Sequence, residues 1–213
     1  MMEKKRVKCF LIRHAKTKGN LEGRYIGSRT DESLCKEGIV ELEEKRSGIL
    51  HRIMQDKKDD FHLVSSPMKR CMESAELLFS RKADEIAAEL RETDFGAFEG
   101  KNYGQLNGTK AYQDWIDSNG TLPFPEGEAR EDFIERSFKA FREVILKNGS
   151  KDKFIFVCHG GSIMSIMMEL TGRDYYDFQV RHIGGFELEF EINQLAGDFK
   201  DVSYSSLDDR ISS

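Results

Sequence analysis

The chain has 213 residues, 38% of them apolar and 33% charged, a mixture that can bury a core under a well-solvated surface and excludes global disorder. Its 33 Lys and Arg stand against 38 Asp and Glu, and the resulting net charge of −5 has the wrong sign for a protein that neutralises a nucleic-acid backbone. No stretch approaches the ~20 continuous apolar residues of a membrane span, and the basic start Glu3-Lys4-Lys5-Arg6 leads into an apolar run too short for a signal peptide.

A cytoplasmic protein without membrane or nucleic-acid partners is therefore expected, with no apolar stripe that announces an oligomeric state. The widely spaced Cys9, Cys35, Cys71 and Cys158 contain no Cys-x-x-Cys pair and read as reduced thiols.

In chain order, Val7 to Ile12 reads as a buried strand that stops at Arg13-His14. A loop rich in Gly and charge follows, to about Asp31. From Lys36 to Gln55, Ile39, Leu42, Ile49, Leu50 and Ile53 recur at helical spacing. Phe61 to Val64 reads as a short strand, and Ser65-Ser66-Pro67 as the start of a helix running to about Phe79. Glu85 to Leu90 fits strand or turn equally.

Between Thr93 and Glu131, frequent Gly and Pro mix with Phe95, Phe98, Tyr103, Tyr112, Trp115 and Phe124. This is the pattern of a long excursion of the kind that covers active sites. Glu131 to Leu146 is an amphipathic helix, Lys153 to Cys158 a buried strand, His159 to Ser162 a turn, and Ile163 to Leu170 a helix. Phe186 to Ile192 alternates in period two, as a final edge strand would. The polar tail after Val202 reads as loosely ordered.

Strands alternating with helices predict one α/β domain over 1–213, a three-layer α/β/α sandwich with a mainly parallel sheet and an antiparallel edge strand, with the insertion at about 93–131 over the active site. Two buried strands end in histidine, at Arg13-His14 and at Cys158-His159-Gly160-Gly161, and ligands of parallel sheets gather at the carboxyl ends of strands. A third strand delivers Arg70 from its following helix.

Two arginines and two histidines gathered at one edge repel one another unless an anion sits among them, and a phosphate dianion matches their donors. The glycines after His159 permit close backbone approach at a helix N-terminus, which suits the same ligand. Neighbouring cations depress an imidazole pKa and leave His14 a plausible nucleophile. No His-Glu-x-x-His pattern or Asp cluster supports a metal, and no Gly-x-x-x-x-Gly-Lys-Ser/Thr loop supports a nucleotide kinase.

Arg13-His14 with Asn20, Arg24 and Gly27, then Ser65-Ser66-Pro67-Met68-Lys69-Arg70, Glu92-Thr93-Asp94-Phe95-Gly96-Ala97-Phe98-Glu99-Gly100 and Cys158-His159-Gly160-Gly161, together resemble the histidine phosphatase superfamily, which includes the cofactor-dependent phosphoglycerate mutases. The resemblance runs from about Val7 to Leu170, four motifs in the family's order. It implies a phosphoglycerate mutase-like fold and a metal-independent, cofactor-free phosphatase acting on a small phosphorylated metabolite.

By that resemblance His14 becomes the phosphohistidine, Arg13, Arg70 and His159 hold the phosphoryl group, and Glu92, rather than Glu99, protonates the leaving oxygen. Asn20, Arg24, Gly27 and Gly160 fall at the matched ligand-binding positions. Glu128, in Phe124-Pro125-Glu126-Gly127-Glu128, matches an acidic residue of the α-ribazole phosphatase branch.

Two positions depart from the family pattern. Ala15 stands where the family has glycine, which puts an unusual backbone angle there in question, and Lys16 stands where an acidic residue is common. A mutase, an α-ribazole phosphatase and a noncatalytic phosphate binder remain alternatives. His51, His62 and His182 lack such context and read as structural, although the Gly184-Gly185 turn means that His182 could reach the pocket.

Overall fold

Runs of β-branched and aromatic side chains form the central sheet of this protein, seen in a computed structural model that describes residues 4–55, 60–193 and 195–208. Among the described residues the strands are β1 (Lys4–Arg13), β2 (His62–Ser65), β3 (Glu85–Ile86), β4 (Lys153–Cys158), β5 (Gly185–Asn193) and β6 (Asp198–Ser206). The helices are α1 (Lys18–Leu21), α2 (Lys36–Ile53), α3 (Lys69–Phe79), α4 (Tyr103–Leu106), α5 (Lys110–Asp117), α6 (Arg130–Lys147) and α7 (Gly160–Thr171). The strands lie in the order β3-β2-β4-β1-β5-β6.

The first four of these neighbours pair in parallel, while β5 and β6 are antiparallel. The alternation of β1 sorts the layers. Val7, Cys9 and Leu11 face one apolar cluster with Phe141, Val144, Ile163 and Ile166 of α6 and α7, and Phe10 and Ile12 face another with Leu42, Ile53, Cys71 and Leu78 of α2 and α3. Helices therefore cover both faces of a mixed sheet.

Where the second face runs out beyond α2, β5 turns Glu187, Glu189 and Glu191 toward Lys8, Arg6 and Lys4 of β1. The period-two pattern of Phe186 to Ile192 records this division, with phenylalanines and leucine inward and glutamates outward. β5 is not the edge, however. β6 pairs outside it, so residues 203–206, expected as a loose tail, are strand. Residues 209–213 of that tail lie outside the described residues.

Other boundaries shift by a turn. α3 begins at Lys69, two residues after Pro67, and α7 begins at Gly160 directly after His159. Glu85 to Leu90 divides into the two-residue β3 and a 3-10 turn over Ala88–Leu90. Among the described residues no helix is long and apolar enough to cross a membrane.

Candidate active site

Register brings the site together. β1 and β4 are paired so that Arg13 lies opposite Cys158, and β2 and β4 so that Ser65 lies opposite Val157. The next residue of each strand, His14, His159 and Ser66, therefore emerges at one edge. Main-chain bonds fix the arrangement, from His14 N–H to the Cys158 carbonyl and from Ser66 N–H to the Val157 carbonyl, both at 3.0 Å. The two imidazoles meet edge to face with centroids 5.2 Å apart, and both are buried.

His14 Nδ1 lies 2.7 Å from the carbonyl oxygen of Ala15. A carbonyl only accepts, so Nδ1 carries the hydrogen and Nε2 keeps its lone pair. Burial first, then the charges of Arg70, His182 and Arg13, holds the His14 pKa well below the usual histidine range, and the ring is neutral at physiological pH. Ala15 is not among the residues with positive φ, so this position does not call on glycine's freedom. Its N–H donates to Ser74 Oγ at 2.9 Å, and that hydroxyl donates to the Arg70 carbonyl at 2.6 Å.

The guanidinium of Arg70 is fully buried. It donates from Nη1 to Thr30 O at 2.9 Å and from Nη2 to Gly27 O at 3.2 Å. Gly27 packs tightly on the segment after Glu92, with no room for a side chain: a methyl group there would lie 2.2 Å from the Thr93 carbonyl oxygen. Arg13 donates from Nη1 to Val180 O at 2.8 Å. The Nε–H groups of both arginines are buried without a protein acceptor.

Buried donors of this kind are satisfied by an anion. α7 adds its N-terminal dipole, with His159 as N-cap and Gly160 as its first residue. A Cβ on Gly160 would stand 3.4 Å from the Arg13 guanidinium.

Glu92 faces the cluster from the segment after the 3-10 turn, its Oε2 3.8 Å from His159 Nδ1 and its side chain 12% exposed. Burial raises its pKa, while the Thr93 N–H and the charges of Arg70, Arg13 and Arg136 pull it down; the upward push wins. Glu99 instead accepts the Gly27 N–H at 2.8 Å, and it serves that loop. His159 is further held by Ser66 Oγ, 2.7 Å from its Nε2. It too is kept well below the usual histidine range by burial and then by Arg70.

The remaining sequence-selected residues make hydrogen bonds of their own. Asn20 Oδ1 caps α1 by accepting from the Thr17 N–H and hydroxyl. Arg24 is bound to Glu22 Oε2 at 2.6 Å, Gly100 O at 2.6 Å and Gln105 Oε1 at 3.1 Å. Glu128 is engaged by Arg136, whose Nε and Nη2 reach its two oxygens at 2.5 and 2.8 Å.

Arg136 also donates to the carbonyls of Glu89, Arg91 and Glu92 at 2.7, 2.9 and 3.0 Å. It is a residue that sequence reasoning missed, and it anchors the chain that carries Glu92.

His182, which the sequence left as structural though able to reach the pocket, lies beside His14. Its Nδ1 lies 3.0 Å from the His14 carbonyl and its ring 5.3 Å from the His14 ring. The turn that places it forces Ile183 to φ 66°, an outlying conformation for a β-branched residue. Burial and Arg13 lower its pKa to about 4.

A cleft of 330 Å³ opens from Arg13, Glu92, Gly160 and Gly161 toward the aromatic segment, where Phe95, Trp115 and Phe124 line it. A larger cleft of 580 Å³, lined by Phe138, Leu146 and Met168 among others, lies between α6 and α7 and holds none of these groups. Among the described residues no group of three His, Cys, Asp or Glu side chains is placed to hold a metal ion. The thiols of Cys9, Cys71 and Cys158 have pKa values raised by burial, which argues against nucleophilic roles.

The family model of the histidine phosphatase superfamily (branch 1) matches residues 9–193. No curated protein matches in sequence. A candidate α-ribazole-5′-P phosphatase from Escherichia coli K-12 superposes with a TM-score of 0.76 at 23% identity, over 96% of this chain and 97% of that one. The α-ribazole phosphatase of Shigella flexneri gives 0.74 at 24%, over 96% and 97%. The phosphoserine phosphatase of Entamoeba histolytica in complex with 3-phosphoglyceric acid gives 0.73 at 23%, over 96% and 98%. At these identities the likeness is one of fold.

Proposed function

This chain belongs to the histidine phosphatase superfamily, and from that premise we propose that it hydrolyses small phosphate monoesters through a phosphohistidine on Nε2 of His14. The observation that carries the proposal is the hydrogen bond from His14 Nδ1 to the Ala15 carbonyl. It leaves the other ring nitrogen with its lone pair among donors that lack an acceptor.

In the first step Nε2 attacks phosphorus, a P–N bond forms, the ester P–O bond breaks, and the departing oxygen takes the proton of Glu92. In the second, the Glu92 carboxylate takes a proton from water, the resulting hydroxide attacks phosphorus, and the P–N bond breaks to release inorganic phosphate. Arg13, Arg70 and His159 hold the transferring group, and positioning with charge stabilisation supplies most of the rate. No metal or cofactor is assigned a part.

The segment 93–131 serves in this reading as the cover of the leaving-group compartment. The E. coli and Shigella neighbours favour a second, narrower reading, α-ribazole phosphate as the ester. Phosphoglycerate mutase activity is separated from both by supplying 3-phosphoglycerate with its bisphosphate primer.

The His14→Ala protein is the direct test. Phosphate release from a generic ester should fall to background, and the acid-labile, base-stable phosphoryl adduct of the parent should disappear. Full activity in the variant would remove the proposal.

A further inference from the structure

The 330 Å³ cleft is several times larger than a phosphate group needs, so most of it receives the rest of the ester. Its chemistry is uneven. At the floor stand Arg13 and Glu92, while the walls present rings: Tyr25, Phe95, Trp115 and Phe124 on one side, with Phe133 and Tyr175 on the other. Among the described residues that line it, Arg130 at the rim is the one charged side chain beyond the floor.

Of the three tyrosines that line the cleft, Tyr25 and Tyr175 contribute ring faces more than hydroxyls. Tyr175 OH donates to Gly161 O at 3.5 Å, and the hydroxyls of Tyr25 and Tyr112 lie 3.4 Å from each other. The ring wall is also stiff. Trp115 stacks on Phe124 with centroids 4.9 Å apart, and behind them Phe98 and Tyr112 are buried in a cluster of their own. A leaving group rich in hydroxyls would shed water here with few partners to replace it, whereas a flat apolar group would exchange water for ring contacts.

We infer that the alcohol part of the substrate carries an aromatic ring, which packs against the wall formed by Trp115, Phe124 and Phe95; the inference rests on the phosphatase reading above. Trp115 is the only tryptophan of the chain, so its fluorescence reports occupancy of this compartment without any turnover.

The experiment titrates the His14→Ala protein with 3-phenylpropyl phosphate, propyl phosphate and glycerol 3-phosphate, three primary alkyl esters that differ in ring and hydroxyl content. The ring-bearing ester should perturb Trp115 fluorescence and half-saturate at a concentration at least about tenfold lower than the other two. In the parent enzyme its kcat/KM should exceed theirs by a similar factor. Tyr176→Ala, a change at a 39% exposed rim residue, and Trp115→Ala should both narrow that ratio through KM.

Equal half-saturation by the three esters, or a preference for glycerol 3-phosphate, overturns the inference while leaving the phosphatase reading intact. Selective binding of the ring ester without hydrolysis of any ester by the parent upholds the compartment and removes the reaction.

Discussion

Replacing Arg136 with methionine tests whether α6 holds the acid in place. The side chains of Arg136 and Glu128 are 13% and 14% exposed. The substitution leaves that carboxylate without its partner and removes the donor from three carbonyls, of Glu89, Arg91 and Glu92. Breaking a fully buried pair costs about 3–5 kcal/mol; because roughly an eighth of each side chain here meets solvent, about 2–4 kcal/mol is expected.

In a chain of this length that loss corresponds to a fall in Tm of about 4–16 °C, read by thermal denaturation. Adding Glu128→Gln removes the stranded charge and should return part of it. Catalysis gives the readout that a merely structural role would not move. Arg136 is one of the charges that pull the Glu92 pKa down, so its removal lets that pKa rise further. The pH at which the general acid loses its proton then shifts upward, and the alkaline limb of the kcat/KM profile moves to higher pH. An unchanged Tm together with an unmoved alkaline limb would refute the reasoning.

Three further outcomes follow from the same geometry. Glu92→Gln should lower kcat on alkyl phosphates by about 10²–10⁴ but far less on p-nitrophenyl phosphate, whose leaving group needs no proton; equal losses would assign Glu92 a role other than proton donor. Folded His14, His159 and His182 all have lowered pKa values, so the unfolded chain takes up protons first and stability falls as pH drops below ~6.5, by up to about 1.4 kcal/mol per pH unit for each imidazole.

For His182 that loss continues to about pH 4. Urea midpoints between pH 7 and 5 should therefore decline, and decline less steeply in His182→Phe; a flat profile in the parent would contradict the burial argument. Ala15→Gly should leave kcat within about twofold, since Ala15 is not among the positive-φ residues. It should cost about 0.4–1 kcal/mol through the freer unfolded chain, and a large gain in kcat would show that the alanine distorts the loop.

The parts of the site that were legible in the sequence are those whose position follows from strand ends. Arg13, His14 and His159 each sit at or just after the last residue of a buried run, and once three such runs lie parallel their ends must converge. Arg70 follows because it stands one residue into the next helix. His182 could not be placed in the same way. Its approach to His14 depends on a turn that holds Ile183 at φ 66°, and a β-branched residue is the last that local preference would put there.

Arg136 was hidden for a different reason. It sits on an amphipathic helix whose charges read as a solvated face, and only the fold of residues 89–92 over that helix turns it inward. β6 has a largely exposed, polar sequence without the apolar alternation that marked β5, so its pairing is a property of β5's free edge. Arg24, Asn20 and Glu128, matched by motif, bond to Gly100 and Gln105, to Thr17, and to Arg136 respectively.

One physical cause prepares both partners of the reaction. Burial disfavours charge of either sign, so it lowers the pKa of the His14 imidazole and raises that of the Glu92 carboxyl. The arginines then act unequally, adding to the effect on His14 and opposing it on Glu92. An arginine cannot shed its proton, and the imidazoles are the groups that give way, which keeps the nucleophile's lone pair available in mild acid. Glu92 keeps its proton only as far as its desolvation outweighs three guanidinium charges, so its titration sets the upper limit. Protonation of His14 therefore limits the free enzyme on the acid side and deprotonation of Glu92 on the alkaline side, and both pKa values move upward when a phosphate dianion neutralises the arginines beside them.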